Sequence, residues 1–226
     1  MALLRNNSQM AGQMVVRKLS THHDGVREVY LTKCLKIFDG QTEDMPDHNG
    51  VLTVFNLESE RYAPMKEDAR KRMPDFIDEV RFIKTHKGLK GIPQYVSSGI
   101  CRHNGQRLAW MVQKWVAGNT MDANAMLSDQ LAPMLIPDPL GLFHTVANVL
   151  EMVARFTGGG GHYNICPDNV LLTIDGNELK DVNVIGFSNI GPTYGGNAPI
   201  DVAELDPQFA APEMAKGIFN YRSDIY

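Results

Sequence analysis

Cysteine is scarce in this chain: three residues in 226, at Cys34, Cys101 and Cys166. They lie far apart, with no Cys-x-x-Cys pair and no histidine at metal spacing. That excludes a zinc-finger or disulfide-framework reading and suits a reducing compartment. No stretch approaches the roughly 18 apolar residues that would predict a membrane span. "MALLRNNSQM" carries only a two-leucine apolar patch, too short for a signal-peptide core. An excess of positive charge is also missing. Lys and Arg number 22 against 26 Asp and Glu, for a net charge of -4 and a pI near 6.0. Bulk charge therefore gives no reason to expect nucleic-acid binding. Neither an internal repeat nor a low-complexity tract interrupts the chain. What remains is ordinary globular composition, 43% hydrophobic and 21% charged. That is enough for one sizeable domain or two lobes sharing a cleft.

Residues 1–25 are polar and punctuated, and are expected to be poorly ordered. "VREVYLTKCLKIF" (26–38) alternates with β-branched and aromatic residues and predicts a strand. "DGQTEDMPDHNG" (39–50) is turn chemistry throughout, and "VLTVFNL" (51–57) predicts a second, buried strand. Pro74 then suits a helix first turn, with Phe76, Ile77, Val80 and Ile83 at helical spacing and a stop before Gly88. "IPQYVSSGICR" and "RLAWMVQKWV" predict strands joined at Asn104–Gly105. A short helix is expected at "ANAMLSDQL". A longer one carries Leu140, Phe143, Val146, Leu150, Val153 and Phe156 and is terminated by Gly158–Gly161. Two short strands, "NVLLTI" and "VNVIGF", turn about "DGNE". A Gly- and Pro-rich segment and a short helix at "PEMAKGIF" close the chain.

Four motifs follow in order. His162-Tyr163-Asn164-Ile165-Cys166-Pro167-Asp168-Asn169 resembles the catalytic loop of eukaryotic protein kinases. Gly186-Phe187-Ser188 resembles their metal-binding DFG triplet, and Ala211-Pro212-Glu213 their APE. Ser223-Asp224-Ile225-Tyr226 resembles the start of the next helix. The resemblance covers roughly residues 26–226. It implies an α+β, bilobal kinase-like fold: an N-lobe (26–113) with a five-stranded antiparallel sheet and one helix, then a mainly helical C-lobe (114–226). That C-lobe would be truncated at the start of its central helix, as in a fragment or a truncated gene product.

Phosphoryl transfer needs positioning and charge neutralisation, and position by position the chemistry is altered. The loop base is Asn164, and an amide has no useful basicity. Cys166 replaces the loop lysine, and Gly186 replaces the metal-binding Asp. Val54 or Phe55 stands where the phosphate-holding lysine belongs, and no Gly-rich phosphate loop occurs in residues 12–40. Asn169 alone survives as a candidate metal ligand, so no metal is expected. Glu79 matches the helix partner of the absent lysine and is expected to be solvated. Backbone groups of the hinge residues Gln113, Lys114, Trp115 and Val116 could still hold an adenine edge. Trp115 either blocks that slot or merely packs. No cofactor is expected beyond weak ATP binding without magnesium. His162 and Phe187 match packing positions, and Pro212, Glu213 and Asp224 match bracing ones.

The chain thus resembles a pseudokinase. "LKIFDG", "LTVFN", "RLAWMVQKWV" and "HYNICPDNVLL…VIGF" are similar to the Scy-like pseudokinases. That family implies a scaffold or adaptor in Golgi and endosomal vesicle traffic, cytoplasmic or peripheral to those membranes, with coat or clathrin-type protein partners. The alternative is an atypical Ser/Thr kinase, or an ATP-binding switch, that uses substitute residues such as Asp168 or Asp181.

Overall fold

A computed structural model describes residues 3–22, 26–38, 41–57, 63–120, 137–196, 205 and 207–225. The chain divides into two compact units, one of Met1–Val80 with Gln94–Trp115 and the other of Arg81–Pro93 with Val116–Tyr226.

The first unit is built on one antiparallel sheet. Its strands are β1 (Gln9–Met10), β2 (Gln13–His22), β3 (Arg27–Phe38), β4 (Gln41–Asn56), β5 (Tyr95–His103) and β6 (Gln106–Lys114). Their spatial order is β1-β2-β3-β4-β6-β5. Residues 52–56 of β4 are all buried, which explains its largely apolar run: a strand covered on both faces has no polar face to alternate with. Leu52 and Val54 join Val15, Tyr30, Leu108 and Val112 in one core cluster. Phe55 stacks on Phe76 of helix α1 (Ala63–Thr85), ring centroids 5.5 Å apart. Asn104 (φ 49°) and Gly105 (φ 80°) make the β5–β6 turn with both residues left-handed, as the Asn-Gly signal predicts.

The second unit carries helix α2 (Pro139–Thr157), a three-stranded sheet of β7 (Asn119–Thr120), β8 (Val170–Asp175) and β9 (Glu178–Val184), and a ladder of β10 (Tyr194–Gly195) with β11 (Ile218–Phe219). Asp138 caps α2 by accepting from Gly141 N at 2.8 Å. Gly158 ends it in a left-handed conformation, φ 71°. Leu142 of α2 packs on Val170, Leu172 and Val182 of the β8–β9 hairpin.

The structure corrects the expected bilobal, kinase-like fold. Strands dominate: the sheet has six strands rather than five, and only two α-helices occur among the described residues. The mainly helical second half is absent there. After α2 come sheet, ladder and short 3₁₀ turns at Pro167–Asn169, Phe187–Asn189, Met214–Lys216 and Tyr221–Asp224. The reason is in the composition: from Gly158 to Tyr226 no run of ten residues is free of both Gly and Pro. Glycine costs a helix backbone entropy and proline removes one of its hydrogen bonds, so a segment punctuated this often favours turns and short strands. "PEMAKGIF" accordingly yields one 3₁₀ turn, stopped by Gly217 at φ 72°.

Three local expectations are also revised. Residues 1–25 are not all unstructured: β1 and β2 form there, Leu4 and Met10 enter the core, and Leu4 N donates to Tyr30 Oη at 2.9 Å. The turn-like residues 41–50 extend β4, and Gln41–Asp44 with Asn49 and Gly50 pair with the 12-residue β3, whose ladder overrides their poor strand propensity. Helix α1 begins at Ala63, so Pro74 sits inside it rather than at its first turn. The expected helix "ANAMLSDQL" lies outside the described residues.

Candidate functional site

The motif residues of the second unit converge on one loop, residues 158–169. The glycines before it serve two purposes. Gly158 finishes α2. Gly160 and Gly161 let the backbone meet residue 191: Gly161 and Gly191 exchange N–H···O bonds of 3.2 Å, and a Cβ on Gly160 would lie 1.7 Å from the Gly191 carbonyl oxygen. On Gly161 a Cβ would meet a carboxylate oxygen of Asp224 at 2.3 Å.

His162 is fully buried. Its Nε2–H donates to Ile185 O at 3.1 Å, and Nδ1 accepts from Asn164 N at 3.3 Å. Both ring nitrogens are therefore spent on backbone groups, a pattern only the neutral imidazole satisfies. Burial pushes its pKa down to about 4. The ring stands edge-on to Phe187, centroids 5.0 Å apart, and Phe187 in turn contacts Phe82 at 4.9 Å. Tyr163 follows at φ 62°, an uncommon conformation for an aromatic residue. It is held from three sides: its N–H donates to Asp224 Oδ1 at 2.6 Å, its hydroxyl donates to Pro192 O at 2.8 Å, and its ring packs on Phe219.

Asp224 is the anchor of the loop. One oxygen accepts from His162 N at 2.6 Å and the other from Tyr163 N. Burial nonetheless raises its pKa to about 6, against the lowering effect of those two donors. Beside it Ser223 Oγ donates to Glu213 Oε1 at 2.9 Å. The two bracing positions inferred from the motif are thus engaged with polar partners.

Asn164 and Asn169 are joined to each other, since Asn169 Nδ2 donates to Asn164 O at 2.8 Å. Asn169 O accepts from Ile185 N at 2.9 Å, which brings the carboxamide against the next residue, Gly186. Gly186 is left-handed (φ 78°), and a Cβ there would sit 2.7 Å from Asn169 Oδ1. Phe187 is buried, Ser188 is half-buried in the turn that follows, and Cys166 is half-buried with its carbonyl accepting from Asn169 N at 2.9 Å. Magnesium seeks several oxygen ligands, carboxylates first. Here Asn169 could offer one neutral oxygen, and the residue facing it offers no side chain. Among the described residues, no three His, Cys, Asp or Glu side chains group as metal ligands.

Asn164, Cys166 and Asp224 also line a groove of about 440 Å³. Its other walls are mostly apolar and include Leu142, Phe143, Ile165, Phe209 and Met214.

The remaining predicted residues belong elsewhere. Gln113 and Lys114 close β6 in the first unit; Lys114 N donates to Gln94 O at 2.8 Å and Trp115 N to Asn49 O at 3.0 Å. Two donors of the expected hinge are thus already used, and the Trp115 side chain is exposed. Val116 opens the second part of the other unit. Glu79, expected to be solvated, is 3% exposed and paired with Arg27 of β3. Sequence reading missed Arg27, because a strand-initial arginine carries no mark of burial. It also missed Gly191, whose role depends on a partner 30 positions away.

No family model matches the chain, and no curated protein matches it.

Proposed function

We propose that the chain is a binding module, a scaffold or adaptor acting through protein–protein contact, in which the loop 162–169 is structural and carries out no phosphoryl transfer. The observation that carries this reading is the contact of Gly186 with Asn169. A metal-holding carboxylate at position 186 would need both a favourable backbone and free space, and the left-handed φ of 78° and the Asn169 carboxamide at 2.7 Å deny it both. The same holds for the proton chemistry. His162 has no free nitrogen, and Asn164 supplies an amide where a base is required.

The enzyme alternative draws less support. Of the two substitute acids, Asp168 is exposed, and Asp181 spends one oxygen on Val182 N and the other on Asn183 Nδ2, at 2.9 and 2.8 Å. The motif resemblance suggests work in Golgi and endosomal vesicle traffic with coat-type partners. Consistent with peripheral rather than spanning attachment, no helix of the described residues is long and apolar enough to cross a membrane.

Thermal unfolding of the 226-residue chain, titrated with ATP with and without magnesium, tests the proposal. The expected result is no magnesium-dependent rise in the midpoint. A rise of several degrees, together with phosphate transfer to a generic acceptor protein that Asn169→Ala abolishes, would overturn it.

A further inference from the structure

The outer edge of β5 is independent of the loop and of its chemistry. β5 ends the six-stranded sheet, and among the described residues its only strand partner is β6. An unpaired edge presents alternating N–H and C=O groups, which proteins usually protect with charge, proline or brevity. β5 is nine residues long and contains no proline. Two β-branched side chains stand on it in the open, Val96 at 48% and Ile100 at 56% exposure. Cys101 packs against the core instead, and Trp110 covers Gly99 from β6 with ring atoms 3.0 Å from where a Cβ would be.

The two strands that make this edge carry charge of one sign. Residues 94–115 contain Arg102, Arg107 and Lys114 and not one carboxylate, in a chain whose net charge is -4. Arg107 and Lys114 are exposed. By register Arg107 lies at the end of β5 and Lys114 beside its beginning, since Arg102 pairs with Arg107 and Tyr95 with Gln113. The cations therefore flank the apolar centre at both ends.

We infer that the β5 edge is a docking site for an extended acidic peptide segment of a partner protein, added antiparallel as a seventh strand. Backbone hydrogen bonds supply the pairing, and side chains at alternate positions supply the selectivity. The fitting segment is apolar and β-branched at its centre, against Val96 and Ile100. It carries carboxylates at both ends, beside Arg102 of β5 at one end and towards the β6 cations Arg107 and Lys114, which lie one strand behind the edge. A nucleic acid would satisfy the cations but not the backbone edge.

The test uses the whole chain and a fluorescent nine-residue peptide of alternating valine and threonine with two glutamates at each end. Anisotropy should report binding that weakens with salt, and hydrogen exchange should slow at the amides of Val96–Arg102. Arg107→Glu with Lys114→Glu should weaken binding by about tenfold or more. A second probe leaves the protein untouched: the same peptide N-methylated at alternate residues should not bind. Equal binding of the N-methylated peptide, or binding without protection in β5, would overturn the inference. So would stronger competition by a single-stranded oligonucleotide than by unlabelled peptide, or no binding at millimolar peptide.

Discussion

Arg27 and Glu79 form a buried ion pair in the first unit. Arg27 Nη2 donates to Glu79 Oε1 at 2.9 Å, and Nη1 lies 2.8 Å from Oε2 as an ion contact without hydrogen-bond alignment. Both side chains are under 10% exposed, and Arg27 Nε has no partner. The pair joins the start of β3 to α1 with two charges already taken out of water.

Removing one member should therefore cost more than removing both. Glu79→Ala leaves a buried guanidinium without its counter-ion, a loss of about 3–5 kcal/mol. Arg27→Met combined with Glu79→Met should be less destabilising than either single change to an apolar residue. Urea unfolding of the three variants measures the cycle, and additive losses would contradict the pairing.

Gly186→Asp recreates the acidic residue of the resembled triplet without recreating its chemistry. The left-handed backbone and the Asn169 contact predict a loss of stability of about 1–3 kcal/mol. The variant is expected to show no magnesium-dependent ATP binding. A variant as stable as the parent, read by thermal midpoint, would show that the loop accommodates an acid.

The glycine run predicts a graded series. Gly160→Ala places a methyl 1.7 Å from the Gly191 carbonyl oxygen and must break the Gly161–Gly191 bridge. Gly158→Ala has nothing within 4 Å and pays only for its positive φ, about 1 kcal/mol. Chemical denaturation should rank Gly160→Ala as much the worse of the two.

His162 and Asp224 oppose each other in acid. The folded His162 has a pKa near 4 against the ordinary 6.5 of a histidine, so its contribution is present above 6.5 and is lost as pH falls towards 4. The folded Asp224 has a pKa near 6 against 3.8, so its contribution is present below 3.8 and is lost as pH rises through 6. Between pH 6.5 and 4 the two changes largely cancel. Asp224→Asn removes one of them and should steepen the loss of stability on acidification across that window. Unfolding free energies at pH 7 and pH 5 for both proteins check it. An unchanged difference between the two pH values would contradict the assignment.

Local signals were legible wherever a short-range cause acts. Asn104–Gly105 forces its turn, Gly158 ends α2, and the run 51–57 announces a strand covered on both faces. The motif singled out Asp224 as a position of interest, but its two backbone donors, His162 N and Tyr163 N, were not legible. The overall fold was not, since motif order suggested helices that, beyond α2, the described residues of a Gly- and Pro-punctuated second half do not form. Long-range pairings were hidden for a related reason. Arg27 finds Glu79 across 52 positions, and Gly161 meets Gly191 only because two backbones cross. Neither leaves a trace in local pattern.

The bonds from His162 N and Tyr163 N to Asp224 span 62 and 61 positions. During synthesis the loop must wait for about sixty further residues before its acceptor exists, and in refolding such distant contacts close late. Until then the Tyr163 N–H lacks its acceptor, and its positive φ is held only by contacts such as those to Pro192 and Phe219. The amide hydrogens of His162 and Tyr163 should accordingly be among the last in the second unit to gain protection in a pulse-labelling experiment. They are internal clocks for the completion of that unit.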